Sequence, residues 1–256
     1  MPTEIDWSQT KFRASSWGNL MTEPVTKADK EAGKLSKTCQ KELIKIYNLV
    51  KYGRKKDITT KQMDKGKLCE NDSITLYSRV EKKLFYKNEE QLENDYFTGH
   101  PDIFTGDNIL NAEECDDIKT SWELDSFMPK LIEEVDSDYK HQLNVYYDLT
   151  GAKCGHIVYC LVSAPESIIL QEMKSLLWRM DVATELNPAY IEAAEELKHL
   201  MVFEDIPIHE RIIKKKVERD DELIQKMKDK VPKLREWLAD FEKKHVNQHQ
   251  NLVVIE

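Results

Sequence analysis

Apolar positions first recur at helical spacing in "LSKTCQKELIKIYNLVKYG", where Leu43, Ile46, Tyr47 and Val50 fall on one stripe and Gly53 supplies a stop. A helix is therefore predicted from Ser36. A second is predicted from about Thr60 to Lys87, with Met63, Cys69, Leu76, Val80 and Leu84 among its apolar positions. Gly66 inside it costs about 1 kcal/mol relative to alanine, which marks a close approach or a local break. The texture then changes. "YFTGHPDIFTG" and "ECDDIKTSW" are short β-branched or aromatic segments separated by Gly, Asp and Asn, which reads as a β-hairpin. Helical periodicity resumes near Asp136 through "DYKHQLNVYYDLTG", and the apolar run "GHIVYCLVSA", closed by Pro165, reads as a buried strand. From Glu166 to about Lys244 the chain is charged and reads as helical. Its segment "IIKKKVERDDELIQKMKDKVPKLREW", with Lys214, Lys215 and Lys216 in succession, reads as a solvated amphipathic helix rather than a nucleic-acid clamp. The order predicts an α/β core over residues 1–165 and a helical C-terminal extension over 166–256, packed on the same domain.

Composition narrows the class. The 256 residues can bury a substantial core, and 40% apolar against 33% charged residues describes a polar globular chain. A net charge of −9 lowers the expectation of nucleic-acid binding, although an acidic surface and a basic, metal-loaded groove can coexist. The five cysteines (Cys39, Cys69, Cys115, Cys154, Cys160) form no C-x-x-C pair, so no zinc ribbon or iron–sulfur spacing is present. "MPTEIDWSQTKFR" lacks an apolar core for a secretory signal, and the run around "IVYCLV" is far too short to span a bilayer. A cytoplasmic protein with no membrane partner is expected.

Chemistry concentrates in "HPDIFTGDNILNAEECDDIK", residues 100–119. Side chains two apart on a strand share a face, so Asp117 and Lys119 point together while Ile118 points away. If the first strand brings Asp102 alongside, two carboxylates and an ammonium converge. Two such carboxylates call for a cation between them, and hard Mg²⁺ or Mn²⁺ suits oxygen ligands. The Ile118 carbonyl is a further candidate ligand. Glu70, in "DKGKLCENDSITLYSRV", is the candidate third acid, and Gln142 and Tyr146 lie four apart on the next helix. Such equipment suits phosphodiester hydrolysis by a metal-activated water.

A helical glutamate followed by G-x-P-D, D-I-K and Q-x-x-x-Y resembles the PD-(D/E)xK nuclease superfamily. Within it the pattern is similar to lambda-type (YqaJ-like) phage recombination exonucleases and to RecB-type nuclease domains. The early "FRASSWG" resembles the N-terminal Arg/Ser motif of the lambda-type family, and "FEDIPIHERI" resembles its approach to a C-terminal helix. The resemblance implies a PD-(D/E)xK core, a mixed β-sheet flanked by helices, and a Mg²⁺- or Mn²⁺-dependent DNA exonuclease with one or two ions and no iron–sulfur cluster. It implies Glu70, Asp102 and Asp117 as metal ligands, Lys119 as catalytic lysine, Gln142 and Tyr146 as strand-positioning residues, and Arg13 and Ser15 as phosphate contacts. It also implies linear duplex ends as substrate, a single-strand annealing protein as partner, and the host cytoplasm for a phage-encoded enzyme, and it leaves an oligomer open.

Structural readings stand beside each of these. Asp102 and Asp107 suit turns, Asp117 and Lys119 a solvated edge strand, and Glu70 a solvated helix face. Gln142 and Tyr146 suit a helix surface, Arg13 and Ser15 a cap, and Cys154, His156 and Cys160 a core. Glu113 and Glu114 are alternative acids. The competing functions are an endonuclease or single-strand nuclease on the same core, a non-catalytic DNA-end-binding module, and a mainly helical adaptor.

Overall fold

A computed structural model describes residues 5–55 and 60–246. Among the described residues the strands are β1 (Phe12–Arg13), β2 (Leu92–Glu93), β3 (Phe97–Gly99), β4 (Ile103–Thr105), β5 (Glu114–Thr120), β6 (Cys154–Cys160) and β7 (Ile212–Glu218). The helices are α1 (Trp17–Leu20), α2 (Lys27–Glu31), α3 (Lys37–Tyr52), α4 (Lys61–Leu68), α5 (Glu70–Glu81), α6 (Leu124–Phe127), α7 (Ser137–Thr150), α8 (Glu166–Arg179), α9 (Pro188–His199) and α10 (Asp221–Phe241). None of these is long and apolar enough to cross a membrane.

The central sheet has the order β4-β5-β6-β7. β4 and β5 pair antiparallel, β5 and β6 parallel, and β6 and β7 antiparallel. α5 covers one face, where Ile74, Leu76 and Tyr77 pack with Ile103, Ile118, Val158 and Cys160. α7 covers the other, where Leu143, Tyr146 and Tyr147 pack with Cys115, Ile157 and Tyr159. β5 and β6 approach so closely that a Cβ on Gly155 would stand 1.7 Å from the Cys115 carbonyl oxygen, so a side chain at 155 would force the two strands apart.

α3 starts where its periodicity predicts. Ser36 accepts a hydrogen bond from the Cys39 N–H (2.9 Å), and Gly53 ends the helix at φ 61°. Leu43 and Tyr47 are buried, but Val50 is 46% exposed, because α3 packs on α1 and α10 along a narrower stripe than the sequence suggests. The predicted helix from Thr60 to Lys87 is two helices, α4 and α5, joined at Cys69 (φ −100°, ψ 9°). Gly66 does not serve a close approach, since nothing lies within 4 Å of where its Cβ would be. The corner falls instead where the Cys69 thiol is buried against the Ser163 carbonyl (3.6 Å).

Two expectations need correction. "YFTG" and "DIFTG" do not belong to one hairpin: β3 pairs in parallel with β1 (Arg13 opposite Thr98) in a small separate sheet, and only β4 and β5 form the hairpin. The C-terminal residues are not all helical, because "IIKKKVE" is β7. Its β-branched Ile213 and Val217 are buried while Lys216 and Glu218 are exposed, the mark of an edge strand protected by lysine. Lys214 pairs with Glu81 (3.3 Å), Lys215 donates to the Leu131 carbonyl (2.9 Å), and Lys216 pairs with Glu218 (2.6 Å). "FEDIPIHERI" accordingly leads into this strand rather than into a helix. α10 then buries Ile224, Met227, Val231, Leu234 and Leu238 in the same core as α3 and α7, so the C-terminal portion completes the main body.

Candidate active site

The site forms at the N-terminal end of β4, beyond which β5 continues without it. β4 pairs only with residues 114–116 of β5, so the following residues of β5 have an open edge. The Ile118 N–H meets no strand there and donates instead to Asp102 Oδ2 (2.7 Å). A strand residue sends its N–H and C=O to the same side, so the Ile118 carbonyl faces that open edge as well. Its side chain packs on the α5 face with Ile103 and Tyr77.

Asp117 and Lys119 project to the other face, toward α7. Asp117 is 1% exposed, which rules out a solvated edge strand. Gln142 Nε2 donates to Asp117 Oδ1 (2.8 Å) and to the Tyr146 hydroxyl (2.8 Å), so one hydrogen of that amide holds the carboxylate and the other ties the amide to Tyr146. Lys119 Nζ stands 2.5 Å from Asp117 Oδ2 and 4.8 Å from the centre of the Tyr139 ring. Even so, Asp117 Oδ2 accepts no aligned hydrogen bond among the described residues. Glu70, the first residue of α5, enters the same cleft and pairs with Lys87 (3.1 Å).

The electrostatics follow from this crowding. Burial, and then the charge of Asp117, push the Asp102 carboxyl up to about 8, against the opposing pull of Lys119 and the Ile118 N–H. Burial disfavours the charge on Lys119, but Asp117 outweighs it and holds the ammonium protonated well above its ordinary value. Burial and the charges of Asp117 and Asp102 likewise keep the Tyr146 phenol neutral.

The cleft has a volume of about 550 Å³ and is lined by Glu70, Asp102, Asp117, Ile118, Lys119 and Gln142. Tyr146 lies behind this surface, 4% exposed. Arg13 and Ser15 are exposed and outside the cleft lining, though the Arg13 charge reaches the Tyr146 hydroxyl. Sequence reasoning missed Lys67 and Lys130, which also line the cleft, together with Trp122 and Tyr139. Single lysines and aromatics in a chain this charged carry no distinguishing spacing.

Gly99, the glycine of G-x-P-D, permits the packing behind Asp117. A Cβ there would lie 3.0 Å from Tyr146 Cδ1 and Cε1 and 3.1 Å from Leu149 Cδ1. Gly99→Ala should therefore displace Tyr146 and, through Gln142, the Asp117 carboxylate. We expect a stability loss of about 1–3 kcal/mol, read by thermal denaturation.

Glu114 and Asp116 point to the opposite face of β5 from Asp117, so Glu114 is not a substitute acid for the cleft. There they gather with His156, their ligand atoms all within 4.8 Å of one another. His156 Nδ1 and Asp116 Oδ1 are 2.9 Å apart, and the Tyr77 hydroxyl donates to Asp116 Oδ2 (3.0 Å). Both Asp116 oxygens are thereby satisfied, as befits a buried polar network. The Cys154 thiol donates to Glu114 (3.7 Å), while Cys160 is buried farther along β6, where its thiol donates to the Ser73 carbonyl (3.7 Å).

The mixed sheet flanked by helices is an α/β fold that this chain shares with solved exonuclease structures. A phage-related exonuclease from Haemophilus somnus 129PT superposes with a TM-score of 0.68 at 24% identity, over 92% of this chain and 96% of that one. An alkaline exonuclease from Laribacter hongkongensis does so with a TM-score of 0.62 at 13% identity, over 96% and 98% of the two chains. Its complex with dAMP gives a TM-score of 0.58 at 14% identity, over 93% and 94%. No protein-family model and no curated protein matches the chain.

Proposed function

We propose that this protein is a divalent-metal-dependent deoxyribonuclease, an exonuclease that resects duplex DNA from its ends. The observation that carries this reading is the convergence of Asp117, 1% exposed, with Asp102, whose carboxyl burial and Asp117 hold near 8, and with Glu70 in one cleft beside the open Ile118 carbonyl. A cation among these oxygens relieves the crowding of like charge. Glu70, Asp102, Asp117 and the Ile118 carbonyl would hold it, and an all-oxygen set suits Mg²⁺ or Mn²⁺. Bound there, such an ion supplies an acidified water and charge stabilisation at phosphorus.

The chain's own residues do the rest. Gln142 fixes the rotation of the Asp117 carboxylate. Lys119 is only part-exposed (27%), charged and paired with the buried Asp117, so its ammonium can stabilise the negative charge that develops on the phosphate oxygens. Lys67 and Lys130 are placed on the cleft wall to meet the DNA backbone. The likeness to exonuclease structures supports the exonuclease reading, and the sequence resemblance adds a single-strand annealing protein as partner. Replacing Lys67 or Lys130 by alanine should lower the slope of log affinity against log salt by about one unit each, read by fluorescence anisotropy of a labelled duplex.

The reading is tested by incubating the protein with linear 5′-phosphorylated duplex, linear 5′-hydroxyl duplex and closed circular DNA in Mg²⁺. Loss of the linear substrates alone is expected. Cleavage of the closed circle would make it an endonuclease, and binding without cleavage an end-binding module. Stronger loss with the 5′-phosphate would place Arg13 and Ser15 at a phosphate pocket.

A further inference from the structure

Lys65, on α4, is 1% exposed and is among the largest fully buried side chains. Lysine is almost never so buried without a reason. Its ammonium donates to two successive carbonyls, Ser121 and Trp122 (3.0 Å each), at the point where the chain leaves β5. The rings of Phe203 and Trp122 stand over it at 5.2 and 5.8 Å. These carbonyls lie just past the Asp117-Ile118-Lys119 run, where the Ser121 N–H makes the last bond to β6, at the Cys160 carbonyl (2.8 Å). A buried carbonyl left without a donor is costly, and an ionised donor gives the stronger bond.

The two sides joined by this contact are both walls of the cleft. On one side, Gln62, Met63, Gly66 and Lys67 of α4 line it, and the corner after α4 delivers Glu70. On the other side, Lys119, Thr120, Ser121 and Trp122 line it. α4 is anchored separately at its first turn by the Lys61–Glu172 ion pair to α8.

We propose that Lys65 is a positioning residue of the active site, a buried clamp that fixes the wall carrying Glu70 against the exit of the strand carrying Asp117 and Lys119. It touches neither substrate nor metal and acts through the spacing of those groups. Burial pushes the Lys65 ammonium down to about 8, with Cys69 and Glu123 pulling it back. Loss of one proton still leaves two N–H groups for two carbonyls, so the clamp persists at alkaline pH.

The inference rests on the nuclease reading, and the test separates the two. Turnover per folded molecule at saturating duplex ends is measured for wild type, Lys65→Met and Lys65→Gln, with folding followed by circular dichroism. Leu43→Ala, a buried change in α3, is the control for general destabilisation. Lys65→Met is expected to lower turnover at least tenfold with KM shifted less than threefold. Lys65→Gln, which keeps amide donors in the pocket, should fall between Lys65→Met and wild type. Leu43→Ala should melt earlier yet turn over as wild type. The clamp is overturned if Lys65→Met stays within twofold of wild type or matches the control. Should Lys65→Met fail to fold, Lys65→Gln against wild type decides on the same criterion. If wild type releases no nucleotide with Mg²⁺ or Mn²⁺, the nuclease reading fails instead. The clamp is then judged by Mn²⁺ titration calorimetry, where at least fivefold weaker binding by Lys65→Gln supports it and equal binding overturns it.

Discussion

Lys119→Ala and Asp117→Asn are each expected to lower nucleotide release at saturating duplex by about 10³-fold, the scale set by removing one preorganised charge from an active site. The reason is geometric. Lys119 and Asp117 share one face of β5, their charged atoms 2.5 Å apart, and Gln142 holds the free side of the carboxylate. Asp117→Asn preserves volume and the Gln142 contact but removes the charge that keeps Lys119 protonated and would hold a cation. Breaking a buried ion pair from one side costs about 3–5 kcal/mol. Here relief of the repulsion between Asp117 and Asp102 offsets part of that, so both variants should remain folded at assay temperature. Single-turnover product release and melting curves, taken together, read the two effects. Activity of Lys119→Ala within tenfold of wild type would remove Lys119 from the chemistry.

The second large effect is a pH dependence carried by Asp102. Its folded carboxyl sits at about 8, above its value of 3.8 in the unfolded chain, so between those limits the folded protein holds a proton that the unfolded chain has lost. Stability from this group is fully present below about 4 and is lost as pH rises through about 8. A metal ion requires the carboxylate, so binding expels the proton. Metal affinity should rise by up to about tenfold per pH unit until pH 8 and then level off. Calorimetric titration of Mn²⁺ in buffers of different ionisation enthalpy should show about one proton released per site at pH 7 and far fewer at pH 9. Asp102→Asn should abolish that release. A pH-independent affinity between 6 and 8 would contradict the Asp102 assignment.

Much of this was legible in the residues, and the illegible part has a physical cause. α3 and α7 end where Gly53 and Gly151 permit left-handed backbone, and their caps, Ser36 and Asp136, are local signals. G-x-P-D, D-I-K and Q-x-x-x-Y were also readable, because a turn, a strand period and a helix period are each local; the structure brings Glu70, Asp102, Asp117, Ile118, Lys119 and Gln142 to one cleft. What escaped was non-local. β7 resembles a charged helix until Ile213 and Val217 are seen opposite β6, and β3 resembles a hairpin arm until β1 is found beside it. Lys65 looks like any surface lysine, since nothing in "KQMDKGKL" shows that the Ser121 and Trp122 carbonyls wait for it. Arg13 and Ser15 had a motif but no place on the cleft surface.

The most direct test is release of acid-soluble nucleotide from linear 5′-phosphorylated duplex DNA in Mg²⁺, repeated with EDTA in excess. The cleft of Glu70, Asp102, Asp117 and Lys119 predicts steady release that stops on chelation and resumes when Mg²⁺ is restored. Release that continues undiminished in EDTA, or none with Mg²⁺ or Mn²⁺ at any pH between 7 and 9, would contradict it.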